Sequence, residues 1–125
     1  MESEAPAPLG VLLISGSHER AHYAFVLTTT AAALGRAAVL FATNAGLRGL
    51  CHGADEEQEK RLRAAGVATL EELREAAAEL GVRRIACEAG LRVEGIPETS
   101  LLPGVEVAGV ATFLSALGKG QVMTL

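Results

Sequence analysis

The sequence predicts an α/β fold, with a mostly parallel sheet and helices on both of its faces. Three observations predict it. Short continuous apolar runs, Leu9-Gly-Val-Leu-Leu-Ile14 and Ala38-Val-Leu-Phe-Ala-Thr43 foremost, have the unbroken hydrophobicity of strands covered on both sides. Between such runs lie helix-length segments whose apolar residues recur every three or four positions. The two kinds of segment alternate along the chain, and alternation of this kind is built by right-handed crossovers between parallel strands.

Residues 9–14 form the first strand, ended by Ser15-Gly16-Ser17. Residues 18–34 are helical, with Tyr23, Leu27, Ala31 and Leu34 at helical spacing and Gly35 as the stop. Ser17 caps this helix, with Arg20 in place of the acid that would complete a capping box. Residues 38–43 are the second strand, and Asn44-Ala-Gly46 turns the chain out of it. Residues 47–52 read as a short helix or loop. Residues 55–65 carry Glu56, Glu57, Glu59, Lys60, Arg61 and Arg63, which reads as a solvated helical face.

Thr69-Leu-Glu-Glu72 is a capping box. The helix behind it runs to about residue 80, with Leu70, Leu73, Ala77 and Leu80 on one face and Gly81 after it. Residues 82–87 are the third strand, succeeded by a tight turn or short helix at Glu88-Ala-Gly-Leu-Arg92. Pro97 breaks the chain beyond that turn and opens one helical turn over residues 98–102. A short fourth strand at 105–107, a helix at 108–117 closed by Gly118, and a fifth strand at 121–125 complete the chain.

The length of 125 residues suits one domain, placed at residues 9–125 behind an acidic, proline-containing lead-in at 1–8 that is expected to be disordered. The apolar half of the composition is mostly Ala, Leu and Val, with no Trp, one Tyr and three Phe. Small side chains bury little area each, so subunit contacts are expected to finish the core in a homo-oligomer. The net charge of −4, the lack of a basic patch and the few aromatics argue against nucleic-acid binding. No apolar stretch reaches the length of a membrane span, and residues 1–8 lack the pattern of a secretory signal. Two cysteines make no disulfide framework, and a reduced, cytoplasmic chain is expected. There is no GxGxxG, GxxxxGK[ST] or GxSxG, and no cofactor is implied.

Cys87 is the principal candidate for chemistry. It closes the third strand, and the carboxyl ends of parallel strands are where open α/β sheets build their sites. A helix amino terminus there favours ionised sulfur; Glu88 opposes it and Arg92 offsets Glu88. Ser17, His18, Asn44 and Arg92 are the candidate substrate contacts, His18 as proton donor or anion contact. His18 and His22, at i, i+4, read as exposed first-turn residues rather than a metal site. Cys51, beside His52, reads as a loop thiol, or as a resolving partner for Cys87 if the two come within disulfide reach.

Four stretches together resemble the DsrE/DsrF-like family over nearly the whole chain from Leu9. They are the turn and helix from Ile14-Ser-Gly-Ser through Ala31-Ala-Ala-Leu-Gly35; Val39-Leu-Phe-Ala-Thr-Asn-Ala-Gly-Leu47; Leu70-Glu-Glu-Leu with Leu80-Gly-Val-Arg-Arg-Ile-Ala-Cys-Glu88; and Gly104-Val-Glu-Val-Ala-Gly-Val-Ala-Thr-Phe113. The resemblance implies a three-layer α/β/α fold with a five-stranded, mostly parallel sheet, assembly into trimers or hexamers, and sulfur relay. Cys87 stands in the matching place of the family's sulfur-carrying cysteine. It implies a sulfur carrier or sulfurtransferase that holds a persulfide on Cys87, with donor and acceptor proteins as partners. Some relatives have Cys-x-Met-Ser-Met there; this chain has Cys87-Glu-Ala-Gly-Leu-Arg92, which leaves the acceptor open. The alternative is a non-catalytic oligomeric or small-ligand-binding module whose thiol is incidental.

Overall fold

The computed structural model describes residues 6–125. The first five residues of the expected disordered lead-in lie outside the described residues. Five strands, β1 (Leu9–Leu13), β2 (Ala38–Ala42), β3 (Arg83–Cys87), β4 (Glu106–Ala108) and β5 (Gln121–Thr124), form one sheet in the order β4-β3-β2-β1-β5. Every pairing is parallel. The helices are α1 (His18–Ala33), α2 (Glu56–Ala64), α3 (Leu70–Glu79), α4 (Glu88–Glu94) and α5 (Val110–Leu117). Short 3-10 helices cover Asn44–Leu50 and Glu98–Ser100.

Alternation along the strands sends side chains to two cores. On one face Val11, Leu13, Leu40, Ala42 and Ala86 meet Ala21, Ala24 and Phe25 of α1 and Ala77 of α3. On the other, Val39, Phe41 and Ile85 meet Phe113 and Leu117 of α5. The result is three layers, helix on sheet on helix, with α5 lying on the second face. Phe41 and Phe113 stack there with ring centroids 5.2 Å apart.

Three packing expectations are corrected. The buried stripe of α1 is Ala21, Ala24, Phe25, Thr28 and Ala31, whereas Tyr23 and Leu34 are exposed. Small Ala and Thr let the helix sit close to the sheet, and each Thr hydroxyl donates to a carbonyl one turn back, Thr28 to Ala24 at 3.0 Å and Thr29 to Phe25 at 2.6 Å. Leu80, at the C-cap of α3, is exposed, and Arg74 is buried on the apolar face of the helix instead. In α2, the expected solvated face contains a buried acid, Glu59. The Thr69 capping box forms as its residues dictate, Thr69 Oγ1 accepting from the Glu72 amide and the Glu72 carboxylate from the Thr69 amide.

Candidate functional site

Loops leaving β1, β2 and β3 share the carboxyl rim of the sheet, and the candidate residues lie there. Cys87 ends β3 beside Ala108 of β4 and becomes the N-cap of α4. Its backbone is extended, and its Sγ accepts a hydrogen bond from the Gly90 amide at 3.4 Å. The residue is half-buried, against the core beneath α5. Glycine at 90 spares this turn a tight contact. A Cβ there would sit 3.0 Å from Leu47 Cδ1, 3.1 Å from Thr43 Oγ1 and 3.3 Å from the Cys87 Cβ. Arg92 turns its charge onto Glu88, Nη1 to Oε1 at 2.7 Å, on the exposed side of α4.

Asn44 holds a left-handed backbone, φ 52°, at the exit of β2, where its Oδ1 accepts from the Thr43 hydroxyl at 3.2 Å. Ser17 caps α1, its Oγ accepting from the Arg20 amide at 3.2 Å. His18 meets Glu59 of α2, Nε2 donating to Oε1 at 2.7 Å. The same carboxylate accepts from the Leu70 and Glu71 amides at 2.9 and 3.2 Å, so it closes the amino terminus of α3. Burial pushes the Glu59 carboxyl up, but the bonds from His18, Leu70 and Glu71 and the His18 charge outweigh it and hold the carboxyl below its usual range. His22 stacks on His18 with centroids 6.1 Å apart and bonds the Ala68 carbonyl through Nε2 at 2.9 Å.

A cleft of about 750 Å³ opens between the start of α1 and the chain from Arg48 to Asp55. Ser17 and His18 line it, with Cys51, Arg61 and Arg74. Cys87, Asn44 and Arg92 are not among its lining residues. Arg74 fastens the cleft wall: Nε donates to the Gly49 carbonyl at 3.1 Å, Nη1 to Gly53 at 2.7 Å and Nη2 to Arg48 at 3.3 Å. The Cys51 thiol donates to the Leu47 carbonyl at 3.3 Å. Burial pushes its pKa up against the pull of the Arg74 and Arg48 charges. Both cysteines are free, Cys51 packed against the core beneath α1 and Cys87 against the core beneath α5.

Glu59 and Arg74 escaped the reading of the sequence. Each left a signal, since Arg74 falls between Leu70 and Ala77 on the apolar stripe of its helix, and Glu59 lies three residues before Leu62, the large apolar residue of α2.

The model of the DsrE/DsrF/DrsH-like family matches residues 53–125. The chain belongs to this family. The matched stretch contains Arg74, Cys87 and Arg92 and begins after Cys51. Among curated proteins it is similar to the sulfur carrier protein DsrE2 of Allochromatium vinosum, 27% identical with 91% of this chain and 94% of that protein covered. It is also similar to the uncharacterised protein YrkE of Bacillus subtilis, 26% identical over 90% of this chain and 92% of that one. The fold is shared with two solved structures. The protein of unknown function MTH1491 from Methanobacterium thermoautotrophicum superposes with a TM-score of 0.71 at 17% identity, covering 95% of this chain and 99% of that one. The YchN protein of E. coli gives 0.68 at 16% identity over 96% and 99%. No helix among the described residues is long and apolar enough to cross a membrane.

Proposed function

We propose that this protein works in sulfur relay, carrying sulfur as a persulfide on Cys87 and passing it to a partner thiol. The observation that carries the reading is the position of Cys87: half-exposed at the carboxyl rim of a parallel sheet, with an amide N–H directed at its sulfur. Membership of the family and likeness to a protein named as a sulfur carrier support it.

The chemistry balances without an external oxidant. The Cys87 thiolate attacks the outer sulfur of a donor persulfide, the donor's S–S bond breaks, and the donor thiolate leaves. An acceptor thiolate then attacks the outer sulfur of Cys87–S–SH, and the Cys87 thiolate leaves. The sulfur atom moves at constant oxidation state, and each departing thiolate takes up a proton in turn. The Gly90 amide, already bonded to the Cys87 sulfur, favours negative charge on that atom whenever it is the leaving group. A reducing compartment such as the cytoplasm keeps both thiols free for this exchange. Self-association belongs to the same reading, because Val110 and Leu114 of α5 and Val122 of β5 are exposed apolar residues.

The test is intact mass after treatment with a polysulfide donor. The native chain and Cys51→Ser are expected to gain one sulfur atom, and Cys87→Ser none. A sulfur adduct that persists in Cys87→Ser eliminates the assignment.

A further inference from the structure

Among the described residues, β5 is hydrogen-bonded on one side only, to β1. Two bonds fix the phase of that pairing: the Gln121 amide donates to the Pro8 carbonyl at 3.1 Å and the Leu125 amide to the Leu12 carbonyl at 2.8 Å. Alternation then turns the N–H and C=O groups of Val122 and Thr124 away from β1, toward the open edge. Open edges in folded proteins are usually blunted by a charge, a proline or a bulge. The opposite edge of this sheet carries such a charge, Glu106 of β4, ion-paired with Arg83 at 2.6 Å. Gln121-Val-Met-Thr124 has neither a charge nor a proline.

The surface flanking this edge is apolar. Val122 pairs with Gly10, where a Cβ would meet Leu117 of α5, so Val122 lies on the α5 face of the sheet. Leu12, packed against the core beneath α5, and Ile14, two residues on, share that face. Phe113 and Leu117 point from α5 into the core. The helix runs against the strands, and its right-handed winding turns Val110 and Leu114 to the flank that looks toward β5. Ile14, Val110, Leu114 and Val122, with Met123 on the other face of β5, are between 37% and 56% exposed. A specific contact takes about 800 Å² from each partner, and these five side chains supply on the order of half of it, the remainder falling to the backbone edge, Gln121 and Thr124.

We propose that a second copy of this chain docks on this edge, β5 antiparallel to β5, about a two-fold axis at Met123. The occupant is a second copy because the edge is complementary to itself. Val122 of one protomer exchanges N–H···O=C bonds with the partner's Thr124, and the same pair recurs across the axis. Every backbone group left open on Val122 and Thr124 is thereby answered. Met123 meets the partner's Met123 at the axis, and the two apolar α5 flanks lie on one side of the joined sheet. The inference rests on the self-association put forward above and gives it a surface; it does not depend on Cys87.

Sedimentation equilibrium of the full chain reads the contact. The native mass is expected to be that of a dimer or an even multiple of it. Met123→Lys sets two ammonium groups face to face at the axis and is expected to raise the dissociation constant by about tenfold or more. Met123→Cys, in a chain carrying Cys51→Ser and Cys87→Ser, is expected to form a covalent dimer under mild oxidation. Facing residues of a non-hydrogen-bonded antiparallel pair lie about 4.5 Å apart at Cα, within disulfide reach. Val93→Cys in the same background, exposed on α4, is the control and is expected to remain uncrosslinked. A monomeric native chain overturns both the proposal and the self-association beneath it. A native oligomer that Met123→Lys does not weaken, or in which Met123→Cys crosslinks no faster than Val93→Cys, overturns the edge contact alone. If Met123→Lys fails to fold, the crosslinking comparison decides.

Discussion

Replacing Glu59 tests whether one buried carboxylate joins three helices. It lies in α2, its side chain is 2% exposed, and it accepts from His18 of α1 and from the Leu70 and Glu71 amides of α3. Glu59→Ala leaves these three donors without their acceptor, and breaking a buried charged pair in this way costs about 3–5 kcal/mol. For a domain of this size each kcal/mol shifts Tm by roughly 3–5 °C, so Tm is expected to fall by about 10–20 °C. Glu59→Gln keeps one oxygen but turns an NH2 group toward an amide donor; its expected cost is smaller, about 1–3 kcal/mol. The pH dependence is distinctive. The folded-state carboxyl titrates below its unfolded value, so its stabilisation is present above the unfolded value and is lost as pH falls through the folded one. The gap between native chain and Glu59→Gln should therefore close as pH drops below about 4–5, where an ordinary glutamate titrates. Urea melts by circular dichroism, from pH 7 to pH 3, measure it. A gap that stays constant over that range, or a Glu59→Ala variant melting within about 1 °C of the native chain, refutes the reasoning.

Arg74→Met removes the three bonds to the Arg48, Gly49 and Gly53 carbonyls; it is expected to cost about 2–4 kcal/mol and to speed amide exchange over residues 48–53, and unchanged exchange there counts against the role given to Arg74. Phe113→Ala empties a site that is 1% exposed and stacked on Phe41, at an expected cost of about 3–5 kcal/mol in urea melts; a loss under about 1 kcal/mol shows that α5 is not held by this contact. At Gly46 a Cβ would overlap the Leu13 backbone carbonyl, whereas at Gly109 it would meet open space. Gly46→Ala should thus destabilise by about 2 kcal/mol or more and Gly109→Ala by under about 1 kcal/mol, and equal melting temperatures for the two would contradict the close approach.

Strands and caps were legible because their causes are local. The apolar runs at β1 and β2, the serine at 17 and the Thr69–Glu72 box act within a few residues of themselves, and the structure places β1, β2, α1 and α3 accordingly. The position of Cys87 was legible for the same reason, as the last residue of a short apolar run. The features that escaped were tertiary. Tyr23 and Leu34 are larger than Ala21 and Thr28 and have more apolar surface to bury, yet α1 packs on the sheet through the small residues, because small side chains permit closer approach. Glu59 and Arg74 have the polarity of surface residues; partners distant in sequence, among them His18 for Glu59 and the Gly49 carbonyl for Arg74, make their burial tolerable. The cleft is built from the same distant pairings, so its residues could not be grouped from spacing alone.

The arrangement at the rim arises from the two-residue period of a strand. All five strands run the same way, so the loops leaving β1, β2, β3 and β4 emerge at one edge of the sheet. Within that edge the alternation of side chains divides the residues between two layers. Ala86 turns to the core beneath α1 and Cys87, one residue on, to the core beneath α5. Cys51 arrives at the α1 side by a different route, at the end of the 3-10 helix leaving β2, and meets the arginines there. The two thiols therefore have different surroundings by construction. One has an amide donor and no cation bonded to it, and suits a sulfur that must be handed on. The other has cations close by and a proton held on a carbonyl, and suits the wall of a binding site more than a nucleophile. A shift of one residue in the register of β3 would exchange Ala86 and Cys87 between the layers and turn the Cys87 sulfur toward the α1 side. The parallel pairing of β3 with both β2 and β4 fixes that register from two sides.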